Sequence, residues 1–351
     1  MPGRPGHPAL RRTTAIAGIS AALISLGACG GGHTLDELLP PFRAELARLA
    51  EGSAQQPGAS IEGVDGWRFH GEELAAASAP LDAPETATRT ILDVKRQLDA
   101  VGVELLLVPI PSKPIVFPEK ISAELEVPIP VPRFDPELQA LYETLRQAGV
   151  DVLDLTEEFI RERFHPEGPL FCRTDRQWSG TGCTVAAAEI GAWVREREWF
   201  DELSTEAFGA AWYSTAFNGN LADPAGTERE ELRLRGIVRD TAEGRVAPEP
   251  DLASPIVLLG DERSLVFHTD TGIDIRGAGL PEQLAFELGT PVDLVAEPGD
   301  TGSSRGRERL ARRARTEGGF WAAKRLVIWC FASAALADDQ GWVPTRLVPE
   351  R

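Results

Sequence analysis

The sequence predicts an α/β domain built on a mostly parallel five-stranded sheet with helices on both faces. Three observations carry this. Five short apolar runs recur along the chain: Val103–Val108 (VELLLV), Val150–Leu155 (VDVLDL), Ile256–Leu259, Val292–Val295 and Leu326–Phe331 (LVIWCF). Continuous apolar runs of this length are the mark of strands buried on both faces. Segments of helical periodicity separate them, which is the alternation that produces parallel sheets. The chain has 351 residues, 42% hydrophobic and 26% charged, enough to bury a substantial core.

Residues 1–29 read as a targeting segment outside the fold. Arg11 and Arg12 precede the apolar run Ala15–Leu26 (AIAGISAALISL). That run is well short of the roughly 20 residues a membrane span needs. It ends in Leu26-Gly27-Ala28-Cys29, which resembles a bacterial lipoprotein cleavage box. The resemblance implies lipid on the Cys29 sulfur and attachment of the chain to a membrane through it. An ordinary signal peptide with a chance cysteine is the alternative. Gly30, in place of the aspartate that retains lipoproteins at the inner membrane, favours the outer membrane. Residues 30–60 read as a glycine tether and one helix, Leu35–Leu49, ahead of a domain over residues 61–351.

Within that domain, Ile91, Val94, Leu98 and Val101 recur at helical spacing, and Gly102 closes the helix. Asp135-Pro136 opens the next helix, with Leu138, Leu141, Leu145 and Ala148 as its buried stripe. Further helices are predicted over Thr184–Glu196, Pro281–Leu288 and Arg305–Arg315. The acidic, proline-containing stretch at about 200–254 reads as an irregular surface insertion.

The formal net charge of -18 excludes nucleic acid as a bulk partner, because the summed field repels polyanions. Beyond Cys29 there are three cysteines. In an oxidising compartment at most one internal bridge can form, with Cys172 and Cys183 the candidate pair and Cys330 a buried thiol. No zinc spacing is present, and no cofactor is expected.

In parallel sheets, ligands bind beyond the carboxyl ends of the strands. Three segments there carry the chemistry: Val108–Pro118 (VPIPSKPIVFP), Cys172–Gly182 (CRTDRQWSGTG) and Ile256–Ser264 (IVLLGDERS). With Asp65–Phe69 (DGWRF) before them and Gly219-Asn220-Leu221 between the last two, they resemble the SGNH-hydrolase-like domain of the alginate O-acetyltransferase (AlgJ/AlgX) family. The family's elements, in the same order, are dGWlf, vPiPsK…yPe, tDtHWs..G, GDL and llGDSf. The resemblance spans about residues 61–348 and implies a flavodoxin-type three-layer sandwich.

In that family the serine of the GDS turn is the nucleophile, and the Asp and His of the D-x-H-W loop complete the triad. Carried over by position, Asp175 matches the orienting aspartate and Trp178 the tryptophan. Gln177 stands in place of the base histidine, and Glu262 in place of the nucleophilic serine. A glutamine amide cannot accept a proton near neutral pH. A carboxylate without a neighbouring base is no substitute for an activated hydroxyl. If adjacent, Asp175 and Glu262 would repel, and Gln177 could instead donate its amide N–H to one of them.

The same residues allow other arrangements. Ser264 and His268 are four residues apart, and His70 and His165 are further candidate bases. Asp175 with Glu262 suggests a two-carboxylate glycosidase pair, or with His268 a metal site. Ser112 and Lys113 line the expected crevice, where Lys113 can meet an anion; Trp178, Asp261, Ser264 and His268 are its other expected members. Trp67, Trp178 and Trp342 offer sugar-stacking faces or core packing. The expectation is a cell-envelope lipoprotein, catalytically degenerate, that binds a glycan or a partner in exopolysaccharide modification or export. The alternatives are an active O-acetyltransferase or acetylesterase with non-standard residues, and a purely structural protein.

Overall fold

The computed structural model describes residues 34–53, 60–81, 84–222, 229–242, 244–269, 275–300, 302–337 and 341–349. Cys29 and the targeting segment lie outside the described residues. Helix α1 (Leu35–Ser53) leads into the antiparallel pair β1 (Ser60–Glu62) and β2 (Arg68–His70), then α2 (Gly71–Ser78) and α3 (Glu85–Asp99). Strand β3 (Glu104–Ile110) follows, with the short α4 (Lys113–Val116), α5 (Pro136–Gln147), β4 (Asp151–Val152), α6 (Thr156–Glu162) and α7 (Gly180–Arg195). Three antiparallel strands come next, β5 (Gly209–Phe217), β6 (Glu230–Thr241) and β7 (Gly244–Val246). The chain then runs through β8 (Ile256–Gly260), α8 (Leu280–Leu288), β9 (Asp293–Val295), α9 (Ser304–Thr316) and β10 (Leu326–Ala332).

The central sheet has the order β4-β3-β10-β8-β9 and is parallel throughout. Its alternating residues feed two cores, as the two-residue strand period requires. Leu106, Val108, Leu258 and Ile328 pack against α1, α7 and α8. Leu105, Leu107, Val257, Leu259 and Trp329 face α3, α5 and α9 on the other side. Both faces are apolar, which is why the strands read as unbroken runs. Ile110, Gly260 and Ala332 end together on one rim, since β10 pairs in register with β3 and β8.

Several expectations need correction. The strand expected over Val150–Leu155 shrinks to β4, an edge strand that pairs only with Leu106 and Leu107. Helix α7 begins four residues before the expected Thr184. Ser179 caps it by accepting from the Gly182 amide, and the early glycines permit close contacts. A Cβ on Gly180 would lie 2.2 Å from Leu234 Cδ2, and one on Gly182 would lie 2.3 Å from the Leu170 carbonyl oxygen. The stretch at 200–254 is not irregular, because it carries the β5-β6-β7 sheet. Leu232 and Leu234 of β6 pack into the first core, while β5 is mostly exposed, so neither strand shows a clean apolar run. No helix among the described residues is long and apolar enough to cross a membrane.

Candidate active site

The turn after β8 is held from several sides. Asp261 accepts from the amides of Arg263 and Ala332, each at 2.9 Å, and so ties the turn to the end of β10. Its carboxyl is pushed up by burial, against the pull of Arg263 and those two amides. Gly260 leaves room for Ser264 to fold back beneath the strand end: a Cβ at 260 would lie 2.1 Å from the Ser264 Oγ. Ser264 is therefore fully buried, and its hydroxyl does not reach the crevice. Arg263 pairs with Glu73 of α2 at 2.7 Å, both buried. Glu262 is the one residue between 261 and 267 that is not buried.

The loop before α7 is clamped just as firmly. Lys113 is wholly buried and donates to the carbonyls of Arg68, Arg173 and Asp175 at 2.6, 3.0 and 3.0 Å. Its ammonium lies 5.3 and 5.1 Å from the Trp67 and Phe69 rings. Burial lowers its pKa to about 8. This corrects its assignment as a crevice cation, because it is a tie between three backbone segments. Glu230 of β6 accepts from the Arg173 and Thr174 amides at 2.7 and 2.8 Å. Gly219 sits against Thr174, where a Cβ would lie 2.0 Å from the carbonyl oxygen. Trp178 is buried, and its indole N–H donates to the Arg263 carbonyl at 3.0 Å, joining this loop to the turn. Trp67 and Trp342 are buried too, so none of the three offers a sugar-stacking face.

Between these two supports the structure brings the side chains of Gln177 and Glu262 together. Gln177 donates its side-chain amide to Glu262 Oε1 at 2.7 Å. Asp175 does not orient that amide. Its carboxylate accepts instead from the backbone amides of Gln177 and Asn220, at 2.9 and 2.8 Å. Burial raises its pKa against those amides and the Lys113 charge. The Gln177 side-chain oxygen, Oε1, is buried without a partner. The backbone N–H of Glu262 is taken by the Asp300 carbonyl at 3.2 Å, so it is not free to meet an oxyanion.

Among the described residues no imidazole enters this arrangement. His268 holds Glu282 at 2.6 Å, so it is not a partner for Ser264. His165 accepts from the Glu167 amide, and His70 lies 3.8 Å from Glu72. Among the described residues no three His, Cys, Asp or Glu side chains converge as a metal site. Cys172 and Cys183 are free and buried, which overturns the expected bridge. The Cys172 thiol points to the Trp178 carbonyl, whereas Cys183 lies in the first turn of α7. Cys330 is a buried thiol as expected.

The SGNH hydrolase-like domain of the acetyltransferase AlgX matches residues 61–333. The chain belongs to this family. Among curated relatives, the probable alginate O-acetylase AlgJ of Pseudomonas aeruginosa is 34% identical over 146 residues, 42% of this chain and 35% of that protein. The probable alginate O-acetylase AlgJ of Pseudomonas putida is 29% identical over 227 residues, 61% of this chain and 56% of that one. The chain thus spans about a third to a half of the length of these relatives. Among solved structures, the O-acetyltransferase domain of Pseudomonas putida AlgJ superposes with a TM-score of 0.60 at 21% identity, covering 80% of this chain and 92% of that one. Pseudomonas aeruginosa AlgX gives 0.60 at 16% identity, covering 86% and 68%. These two likenesses share the α/β sandwich described above.

Within the AlgX-like family frame, two contributors were missed from the sequence. Asn220 departs from the family's GDL element in sequence, yet its backbone amide anchors Asp175 and its side chain accepts from the Arg176 amide at 3.3 Å. Glu230 was missed altogether, because its segment read as irregular; a lone carboxylate starting an alternating strand was its only signal.

Proposed function

We propose that this chain is a catalytically degenerate member of the AlgJ/AlgX family that serves the cell envelope by binding a glycan or a partner in exopolysaccharide modification or export. One observation carries the reading. The residues at the base and nucleophile positions, Gln177 and Glu262, are hydrogen-bonded to each other, so the site holds a static amide–carboxylate pair. Acyl transfer from a serine needs a hydroxyl, a base that takes its proton and a donor set for the oxyanion. Here the hydroxyl is absent, the amide cannot take a proton, and the amide nearest the turn tip is occupied. The retained supports, Lys113, Trp178 and Asp261, keep the crevice shaped while its reactive groups have changed. Envelope attachment through Cys29 rests on the lipoprotein-like leader and belongs to the same proposal.

The crevice offers one accessible acceptor, the Glu262 carboxylate. A carboxylate acceptor suits sugar hydroxyls. The test is calorimetric titration of the full chain with neutral and O-acetylated oligosaccharides. Binding that Glu262→Ala weakens about tenfold, the scale of one charged hydrogen bond, supports the reading. Affinity absent for both sets, or untouched by Glu262→Ala, contradicts a glycan role for the crevice. Robust acetyl-ester turnover that Glu262→Ala abolishes would restore the enzyme reading.

A further inference from the structure

Strand β5 is the one long sheet edge among the described residues. The other edge strands, β1, β2, β4, β7 and β9, are two or three residues long. β5 runs for nine residues, Gly209–Phe217 (GAAWYSTAF), and its strand partner is β6 alone. The register with β6 is unbroken from Gly209 opposite Val238 to Phe217 opposite Glu230, so no bulge turns this edge away. Of the nine residues only Phe217 is buried, and Tyr213 is 38% exposed.

The free N–H and C=O groups of a sheet edge are a template for another strand, and proteins blunt long edges with charge, proline, bulges or a covering element. β5 contains no charged residue and no proline. Among the described residues, one hydrogen bond from outside the β5-β6 pair reaches its backbone, from Arg229 Nη2 to the Ala216 carbonyl at 2.5 Å. The opposite edge of the same sheet shows the contrast: β7 has three residues, and its Arg245 pairs with Asp240 at 3.1 Å.

Charge selects the occupant. A chain of net charge -18 repels its own copies over most of its surface, but β5 set against β5 places no charge opposite a like one. The two ends of the strand are also unlike. Exposed Asp201, Glu202 and Glu206 precede it, and exposed Arg229 lies beside its far end. Antiparallel pairing sets each end against the other, so Arg229 of one copy approaches the acidic end of the second. We propose that β5 pairs antiparallel with β5 of a second copy, joining two three-stranded sheets into one of six strands. The contact is isologous, so it closes both long edges at once and leaves none for a third copy. It also reaches towards the candidate site, because Glu230, opposite Phe217, holds the Arg173 and Thr174 amides. The proposal does not depend on the reading of the Gln177–Glu262 crevice.

The test is sedimentation velocity of the full chain over a wide concentration range, with hydrogen exchange measured at its two ends. The expected result is a monomer–dimer equilibrium in which the β5 amides gain protection at high concentration. Ser214→Lys puts like charges on both strands at an exposed position and is expected to weaken the dimer at least about tenfold. Arg229→Glu sets acid against acid at the strand ends and is expected to weaken it as well. Ser214→Thr, uncharged and suited to a strand, is expected to keep the dimer. Should Ser214→Lys fail to fold, exchange on the native chain still decides the question. A chain that stays monomeric throughout, including one whose β5 captures a segment of another protein instead, would overturn the proposal. So would a dimer whose β5 amides exchange as in the monomer, or one that Ser214→Lys leaves intact.

Discussion

At Lys113 a positive charge is held inside the protein by three backbone carbonyls and two aromatic rings. The Ser-Lys pair between prolines was legible in the sequence as a polar strand end. Its burial was not, because nothing local tells a lysine reaching solvent from one reaching backwards across the chain. Its depressed pKa has a measurable consequence. Below about 8 the folded state carries a buried charge that the unfolded chain holds at no cost. Between about 8 and the model-peptide value near 10.4 the unfolded state binds more protons, so the Lys113 contribution to stability rises with pH. The expected rise is roughly 3 kcal/mol across that window. Urea denaturation of the native chain and Lys113→Met at pH 7 and pH 10 should show the difference between them growing in favour of the native chain. A pH-independent difference would mean that the ammonium is not desolvated.

The elements follow the sequence where burial is uniform and depart from it where contact is made by one residue at a time. Strands β3, β8, β9 and β10, the helices α3, α5, α8 and α9 and the turn at Asp261–Ser264 are legible, because both faces of the sheet are apolar there, whereas the half-exposed β4 is shorter than its sequence suggests. Strand β6 was not, because its inward residues alternate with arginines and its role at the site comes from Glu230 alone. The segment between β8 and α8 carries a further element-scale prediction. His268 is joined to the buried Glu282 of α8. Burial works against protonation of this imidazole, but the hydrogen bond and charge of Glu282 outweigh it and raise its pKa. A raised histidine pKa gives stability that is complete below the unfolded value near 6.5 and is lost as pH rises through the folded value. His268→Gln should therefore lower the melting temperature more at pH 5.5 than at pH 8.5. An equal loss at both would show that the imidazole is neutral throughout.

Across the whole molecule, the chain shares the α/β fold of its family, and the proposed loss of activity rests on the residues at positions 177 and 262. The described cysteines are buried thiols whose pKa values burial pushes well above the ordinary range. Reductant should leave the melting temperature unchanged, and a thiol reagent should react only after denaturation. A drop in melting temperature with reductant would point to a bridge between them. The acidic surface and the apolar double core were both readable from composition, but the state of the site was not. Motif order locates positions 177 and 262, and the geometry shows them bonded to each other across 2.7 Å. That bond is the centre of the account. Its most direct test is intact-mass spectrometry of the chain after incubation with 4-nitrophenyl acetate, with the native protein beside the double variant Glu262→Ser with Gln177→His. The native chain is predicted to take up no acetyl group in the crevice and to release nitrophenolate no faster than buffer, while the double variant acquires one acetyl group on residue 262. An acetyl adduct or sustained turnover in the native chain, lost on Glu262→Ala, would contradict it.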